Sequence, residues 1–304
     1  MDILGDTKID FMGKRKITFA ISIILVIIGI IAAAAIPLGK ANLSTDFEGG
    51  IAIQFKFEKP FEIEKVRGVL AVGGFQDAEL QQFAEPSKLL VKLSRTAGDL
   101  RAVSQSIGGV FAAGMPDNPY IVESTSEIGP TVGKKLQRDA LWAIIIALVG
   151  ILIYVAWRFE LRFGFAAVIA TFHDVLAVLG IFYILDKEIS LLVVTALLTL
   201  AGYSLTDTVV IFDRIRENLH KKSKEGFIPL INRSINEVLR RSIVTSLTTF
   251  LASLSLFLLG GEVIHDFALA LVLGIIIGSY SSIFIASPIL LFWKDKKKQV
   301  VASA

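Results

Sequence analysis

Six stretches of this sequence, at about 17–36, 140–157, 163–185, 189–212, 242–259 and 267–292, are apolar for long enough, and carry few enough charges, to cross a bilayer as helices. A hydrocarbon core about 30 Å thick takes roughly 20 helical residues. Nothing else in the chain limits its fold so strongly. The composition agrees: 54% of the residues are hydrophobic and 19% charged, against roughly 45–50% and about 25% in soluble domains. Lys14, Arg15 and Lys16 precede the first stretch as they would a secretory signal. Its apolar run exceeds the roughly 7–15 residues of a signal's core, so it reads as a retained anchor.

Basic residues set the orientation. Eighteen Lys and Arg fall on the side of the two termini, whereas the short connections opposite hold only Lys187. Both termini are therefore expected in the cytoplasm and residues 37–139 outside, in a multi-pass protein of the cytoplasmic membrane. The layout is an N-terminus and first span over 1–36, an external domain over 37–139, five spans over 140–293 and a basic tail over 294–304. With three widely spaced histidines and no cysteine, a metal site is not expected. No cofactor is expected beyond protons as coupling ion, and no nucleic-acid partner.

The external loop is long enough to fold alone. Ile51, Ile53, Phe55 and Phe57 alternate with polar neighbours as a half-buried strand does. A helix over 61–71 follows, closed by Gly73-Gly74, then strands over 75–83 and 89–93, a helix with Asp99 as N-cap, and a strand over 120–124. The order β-α-β-β-α-β is the ferredoxin-like pattern. It carries no catalytic constellation, and the chain reads as no enzyme. Asp46-Phe47-Glu48-Gly49-Gly50 leads in and Gly129-Pro130-Thr131-Val132-Gly133 leads out. These glycines are either turn chemistry or a pair of hinges on which the domain swings.

Ionisable groups inside a span are functional candidates by default. Asp207 lies six residues, about 9 Å, inside the polar boundary at Asp213, and Arg241 at the start of the fifth span is expected to face it. An acid beside a guanidinium and the same acid buried alone favour opposite protonation states, so this pair could load and release a proton. A static ion pair is the plain alternative. Tyr203, Ser204, Thr206 and Thr208, with Thr245 and Thr248 opposite, would line a hydrated path or serve as interhelical glue. His173 and Asp174 form a second intramembrane pair. Adjacent helical residues point about 100° apart, so both cannot face Asp207, and a functional and a packing role stay open. Residues 226–240 suit a short helix lying in the headgroup plane, or a solvated charge run. Gly274, Gly278 and Ser282 belong to a four-residue stripe of small side chains with Ala270 and Ala286, which permits close helix packing within the chain or against a partner.

These motifs, with the block Asp207-Thr208-Val209-Val210-Ile211-Phe212-Asp213-Arg214-Ile215-Arg216-Glu217-Asn218 and Arg241 near Thr245-Ser246, resemble those of the SecF family. That family is the smaller half of the SecDF protein-export complex within the resistance–nodulation–division (RND) superfamily. Ser44-Thr45 stand where the family usually has Gly-Ile. The resemblance implies six spans forming half of an RND-type assembly with a SecD-like subunit, beside the SecYEG channel and in contact with translocating pre-protein and membrane lipid. The proton motive force would drive it, with Asp207 the protonatable group and Arg241 its counter-charge. A proton-coupled RND-type exporter of small molecules or lipids is the alternative. An intramembrane hydrolase lacks its Gly-x-Gly-Asp or His-Glu-x-x-His element.

Overall fold

The computed structural model describes residues 7–83, 85–94, 100–221 and 225–293. The expected N-cap Asp99, Lys222 and the basic tail 294–304 lie outside them. Among the described residues, six helices are long and apolar enough to span a membrane: α1 (Arg15–Ala35), α5 (Pro130–Arg158), α6 (Leu161–Ile184), α7 (Leu191–His220), α8 (Phe227–Leu259) and α9 (Glu262–Ser281). Past α9 the sixth span continues as a π turn (Ser282–Ala286) and ends in a 3-10 turn (Leu290–Trp293).

Between α1 and α5 come a one-turn helix α2 (Thr45–Glu48), β1 (Gly50–Phe57), α3 (Ile63–Val72), β2 (Glu79–Gln82), β3 (Lys88–Ser94), α4 (Leu100–Gly114) and β4 (Tyr120–Ile128). The sheet has the order β2-β3-β1-β4, every neighbour antiparallel, with a bulge at Glu123 of β4, opposite Gln54 and Phe55 of β1. Strand β2 is shorter than the expected 75–83 because a turn occupies residues 76 and 77. The alternation read in β1 is the core face. Ile51, Ile53, Phe55 and Phe57 are buried under Val66 and Leu70 of α3 and Ile107 and Phe111 of α4. The rings of Phe55 and Phe57 meet Phe111 edge-on at 5.0 and 5.3 Å, in the arrangement that aromatic quadrupoles favour.

The opposite face of the sheet lies over one end of the helices. A cavity of about 220 Å³ is lined there by Ala52, Leu90 and Lys92 from the strands and by Ser190, Leu192 and Phe267 from the helix ends. Lys92 Nζ donates to Glu188 Oε2 at 2.6 Å across this junction.

The glycine-rich tethers make close contacts with each other and with the helix ends. Asp46 Oδ2 accepts from Leu191 N at the start of α7, supplying an acceptor to one of the donors that a helix leaves free at its N-terminus. Gly49 has φ +77° and Gly50 φ +149°, conformations that side chains oppose. Gly129 is the N-cap residue of α5, and Pro130 opens the helix. A Cβ on Gly133 would stand 2.5 Å from the Phe47 carbonyl oxygen, so that glycine lets the two tethers touch.

The interfacial helix expected over 226–240 is not a separate element. It is the first half of α8, which runs unbroken for 33 residues, about 50 Å. That is longer than a hydrocarbon core, so this half projects beside the end of α7. Ile231, Ile235 and Leu239 join Phe159, Phe212 and Ile215 in one buried cluster, and therefore face protein instead of headgroups. Asn232 and Asn236 clasp the N-terminal segment. Their Oδ1 atoms accept from Met12 N and Ile9 N at 2.9 Å, and their Nδ2 atoms donate to Asp10 and to the Ile9 carbonyl.

Candidate functional site

The small-residue stripe of α9 faces α7 within the chain. A Cβ on Gly274 would stand 2.5 Å from Leu200 Cδ2, and one on Gly278 3.0 Å from Ser204 Cβ. Only small residues permit that approach, and it brings the hydroxyls that follow, on Ser279, Ser281 and Ser282, against α6, α7 and α8. At Ser282 the helix widens into its π turn, a distortion frequent at functional sites. The Ser287 hydroxyl closes it on the Ser282 carbonyl at 2.9 Å.

Two carboxylates sit in this seam. Asp207 of α7 is 5% exposed. Its Oδ2 accepts from Ser246 Oγ of α8 at 3.0 Å, and Ser246 Oγ in turn accepts from Ser279 Oγ at 2.8 Å. An apolar groove of about 380 Å³ reaches Asp207 between α8 and α9, lined by Ser242, Leu247, Phe250 and Ile276. Asp174 of α6 is wholly buried. Its Oδ2 accepts from Ser204 Oγ at 2.6 Å and Ser281 Oγ at 2.8 Å, while its Oδ1 is 3.0 Å from His173 Nδ1. Thr208 and Ser282 hydroxyls pair at 2.8 Å between the two acids.

Arg241 is not where the sequence reading put it. Its side chain is exposed, and it forms no ion pair with Asp207, although it is near enough to act on that charge through space. The inward positions of α8 are Ser242 and Ser246, four residues apart, and Arg241 lies about 100° around the helix from Ser242. Thr245 and Thr248 share its outward face, with their hydroxyls donating to the carbonyls of Arg241 and Val244 in their own helix. Thr206 is likewise exposed and bonded to the Gly202 carbonyl. The expected threonine-lined path is therefore a seam of serines. Tyr203 is half-buried against the apolar cluster of α6, α7 and α9. Of the expected residues, the structure gathers Asp207, Ser204, Thr208, His173, Asp174, Gly274, Gly278 and Ser282. It leaves Arg241, Thr206, Thr245 and Thr248 on outer faces.

Ser242, Ser246, Ser279 and Ser281 carried no weight in the sequence reading as site residues. The signal was there: Ser242 and Ser246 repeat at four residues, offset by one from the arginine-threonine face, and serines flank the glycine stripe.

Residues 115–296 match the family described as protein export membrane protein SecD/SecF, C-terminal. A protein translocase subunit SecF from Thermodesulfovibrio yellowstonii is 53% identical over 293 residues, covering 96% of each chain. One from Calditerrivibrio nitroreducens is 45% identical over 303 residues, covering 98% of each. The crystal structure of SecDF from Thermus thermophilus, a translocon-associated membrane protein, superposes with a TM-score of 0.80 at 37% identity, over 96% of this chain and 39% of that one. A SecDF crystal structure in a super-membrane-facing form gives 0.72 at 36% identity, over 99% and 40%. The chain thus spans about two-fifths of the SecDF chains and nearly all of the SecF relatives, and it belongs to the SecF family of protein translocase subunits.

Proposed function

We propose that this chain is the smaller half of a SecDF-like machine that uses the proton motive force to assist export of pre-proteins through a SecYEG channel. A SecD-like subunit supplies the other RND-type half. The termini lie in the cytoplasm, and the sheet domain, a ferredoxin-like fold, lies outside. The single observation that carries this reading is Asp207: an acid in the middle of a polar seam, held by one serine hydroxyl and open to a groove. Such a group can hold or release a proton with little rearrangement. Arg241, one helical position from the inward face of α8, supplies the counter-charge when that helix turns.

The magnitude suffices. One charge crossing the membrane is worth about 2.3 kcal/mol per 100 mV, enough to change a two-state population more than tenfold. Proton passage would reset the packing of α7, α8 and α9, and the sheet domain, joined to the ends of α7 and α9, would follow. The test is proton-driven completion of pre-protein export in membrane vesicles after ATP is exhausted, with the chain and its partner present. Asp207→Asn should abolish it. Undiminished export by that variant would overturn the reading.

A further inference from the structure

Asp174 is more completely enclosed than Asp207 and lies on another helix, and its neighbour has an unused valence. His173 is 4% exposed; its Nδ1 lies 3.0 Å from Asp174 Oδ1, and its Nε2 is buried with no hydrogen-bond partner among the described residues. A histidine kept only for packing would be expected to satisfy both ring nitrogens, since an unpaired buried polar atom costs about 1–3 kcal/mol. Because Oδ1 accepts, the bonded tautomer carries its hydrogen on Nδ1, which leaves Nε2 as a bare lone pair in the protein interior. The ionised carboxylate then takes three donors, from His173, Ser204 and Ser281.

We infer that His173 and Asp174 form a second proton-binding site of this chain, with His173 Nε2 the entry atom and Asp174 Oδ1 the resting place of the proton. A proton added at Nε2 is matched by transfer of the Nδ1 hydrogen to Oδ1 along their 3.0 Å bond. The pair passes from a carboxylate with a neutral imidazole to a carboxylic acid with a neutral imidazole of the other tautomer. One positive charge is gained, and no isolated charge is left in the interior.

The surroundings suit this exchange. Helix α1 brings no ionisable residue between 17 and 35, only the buried Thr18 and Ser22. From α9 comes Tyr280, whose ring is centred 6.3 Å from that of His173 and whose hydroxyl donates to the Thr18 carbonyl at 2.7 Å and pairs with Ser22 Oγ at 3.0 Å. The apolar part of α5 offers only Tyr154, which is exposed. From α7 come Tyr203 and Asp207. Ser281 holds Asp174, and the next residue, Ser282, pairs with Thr208, the residue after Asp207. A proton gained at Asp174 therefore weakens its hold on Ser281, next to the π turn beside the groove acid.

The inference adds a site to the proposed machine, yet its test does not depend on export. Infrared difference spectra of the chain with its partner half in lipid, recorded between two pH values, should show a protonated-carboxyl C=O band on acidification. The band should vanish in Asp174→Asn and persist in Asp207→Asn. Ser281→Ala removes one donor and leaves both titrating groups in place. It should move the midpoint of that band about tenfold in proton concentration, as loss of a hydrogen bond to a charged group predicts. It also serves if Asp174→Asn fails to fold. A carboxyl band lost only with Asp207, or an Asp174 band at a midpoint unmoved by Ser281→Ala, would overturn the inference and leave Asp174 a fixed clamp between α6, α7 and α9. Loss of export in Asp207→Asn together with such spectra would leave the proposed function standing without this site.

Discussion

The sheet domain and helix α1 bury opposite kinds of residue. In the domain, Ile51, Ile53 and Phe55 are wholly buried while Gln54 and Lys56, on the other face of the strand, stay partly exposed, because water drives apolar surface inward. In α1 the large residues face out: Ile24 is 58% exposed and Ile17 68%, whereas Thr18, Ser22, Gly29 and Ala32 are buried. Lipid tails are as apolar as isoleucine, so burying such a side chain against another helix gains little. What holds spans together is close approach and hydroxyl bonding. A polar residue on the inward face of the domain would be a defect, whereas on α1 and in the serine seam it is an ordinary contact between spans.

This contrast breaks most decisively at Gly29. A Cβ there would stand 2.2 Å from the Leu176 carbonyl oxygen, and one on Gly180 2.8 Å from Gly29 N; both obstacles are backbone and cannot turn aside. Gly29→Leu should separate α1 from α6 and give little folded protein by size-exclusion yield, whereas Ile24→Leu, on the lipid side of the same helix, should be silent. If both behaved alike, small-residue packing would not be what joins the two spans.

Phe111→Ala should have the next largest effect. Removing a wholly buried ring that meets Phe55, Phe57 and Tyr120 should cost about 3–5 kcal/mol. The loss should be confined to the domain, read as lost hydrogen-exchange protection in β1 and α4 with protection in α6 and α7 retained. Equal loss in the helices would mean that the two regions fold as one cooperative unit, and the contrast drawn here would need redrawing.

The sequence revealed the parts whose physics is periodic. Apolar runs located the spans, and alternation in β1 identified the core face of the domain. Asp207, Asp174 and His173 stood out as charges in apolar surroundings. What stayed hidden depended on rotation about a helix axis. Arg241 and Ser242 are neighbours in sequence, and which of them faces Asp207 is decided by how α8 packs on α7 and α9. A guanidinium attracts attention in a way that a serine does not, so the charged residue was matched to the acid although the smaller one faces inward. The glycines at 129 and 133 left turn and hinge both open because glycine permits looseness as well as close contact, and the approach of the Phe47 carbonyl to Gly133 is a contact that no sequence pattern announces. For residues 226–240 an interfacial helix and a solvated charge run stayed open because an apolar stripe does not say whether lipid or α7 covers it.

The smallest expected effect lies where the two regions meet. Glu79 of β2 is within hydrogen-bonding reach of Glu188 in the connection between α6 and α7. Loss of hydration against the protein packed beside this otherwise exposed side chain, and then the negative charge of Glu188, raise its carboxyl above the ordinary carboxylate value, with Lys92 of β3 pulling the other way and Asp266 of α9 adding a weaker push. Lys187 and His265 stand beside Asp266 at 3.4 and 3.3 Å and moderate its charge. A group whose proton is held more tightly in the docked arrangement than in the separated one stabilises docking at low pH. That stabilisation is fully present below the ordinary carboxylate value and is lost as pH rises to the raised value, beyond which the dependence levels off. A spectroscopic distance between β2 and the start of α9 should therefore lengthen slightly, or fluctuate more, as pH rises through that window. Glu79→Gln, which keeps a hydrogen-bonding side chain and removes the titration, should flatten the curve at its acid-side value. Lys92→Met should instead steepen it, since two carboxylates would then face each other without their cation. A junction indifferent to pH in all three proteins would mean that the sheet rests on the bundle through its shape and the Asp46 cap alone, and that the proton-sensitive chemistry of this chain is confined to the membrane.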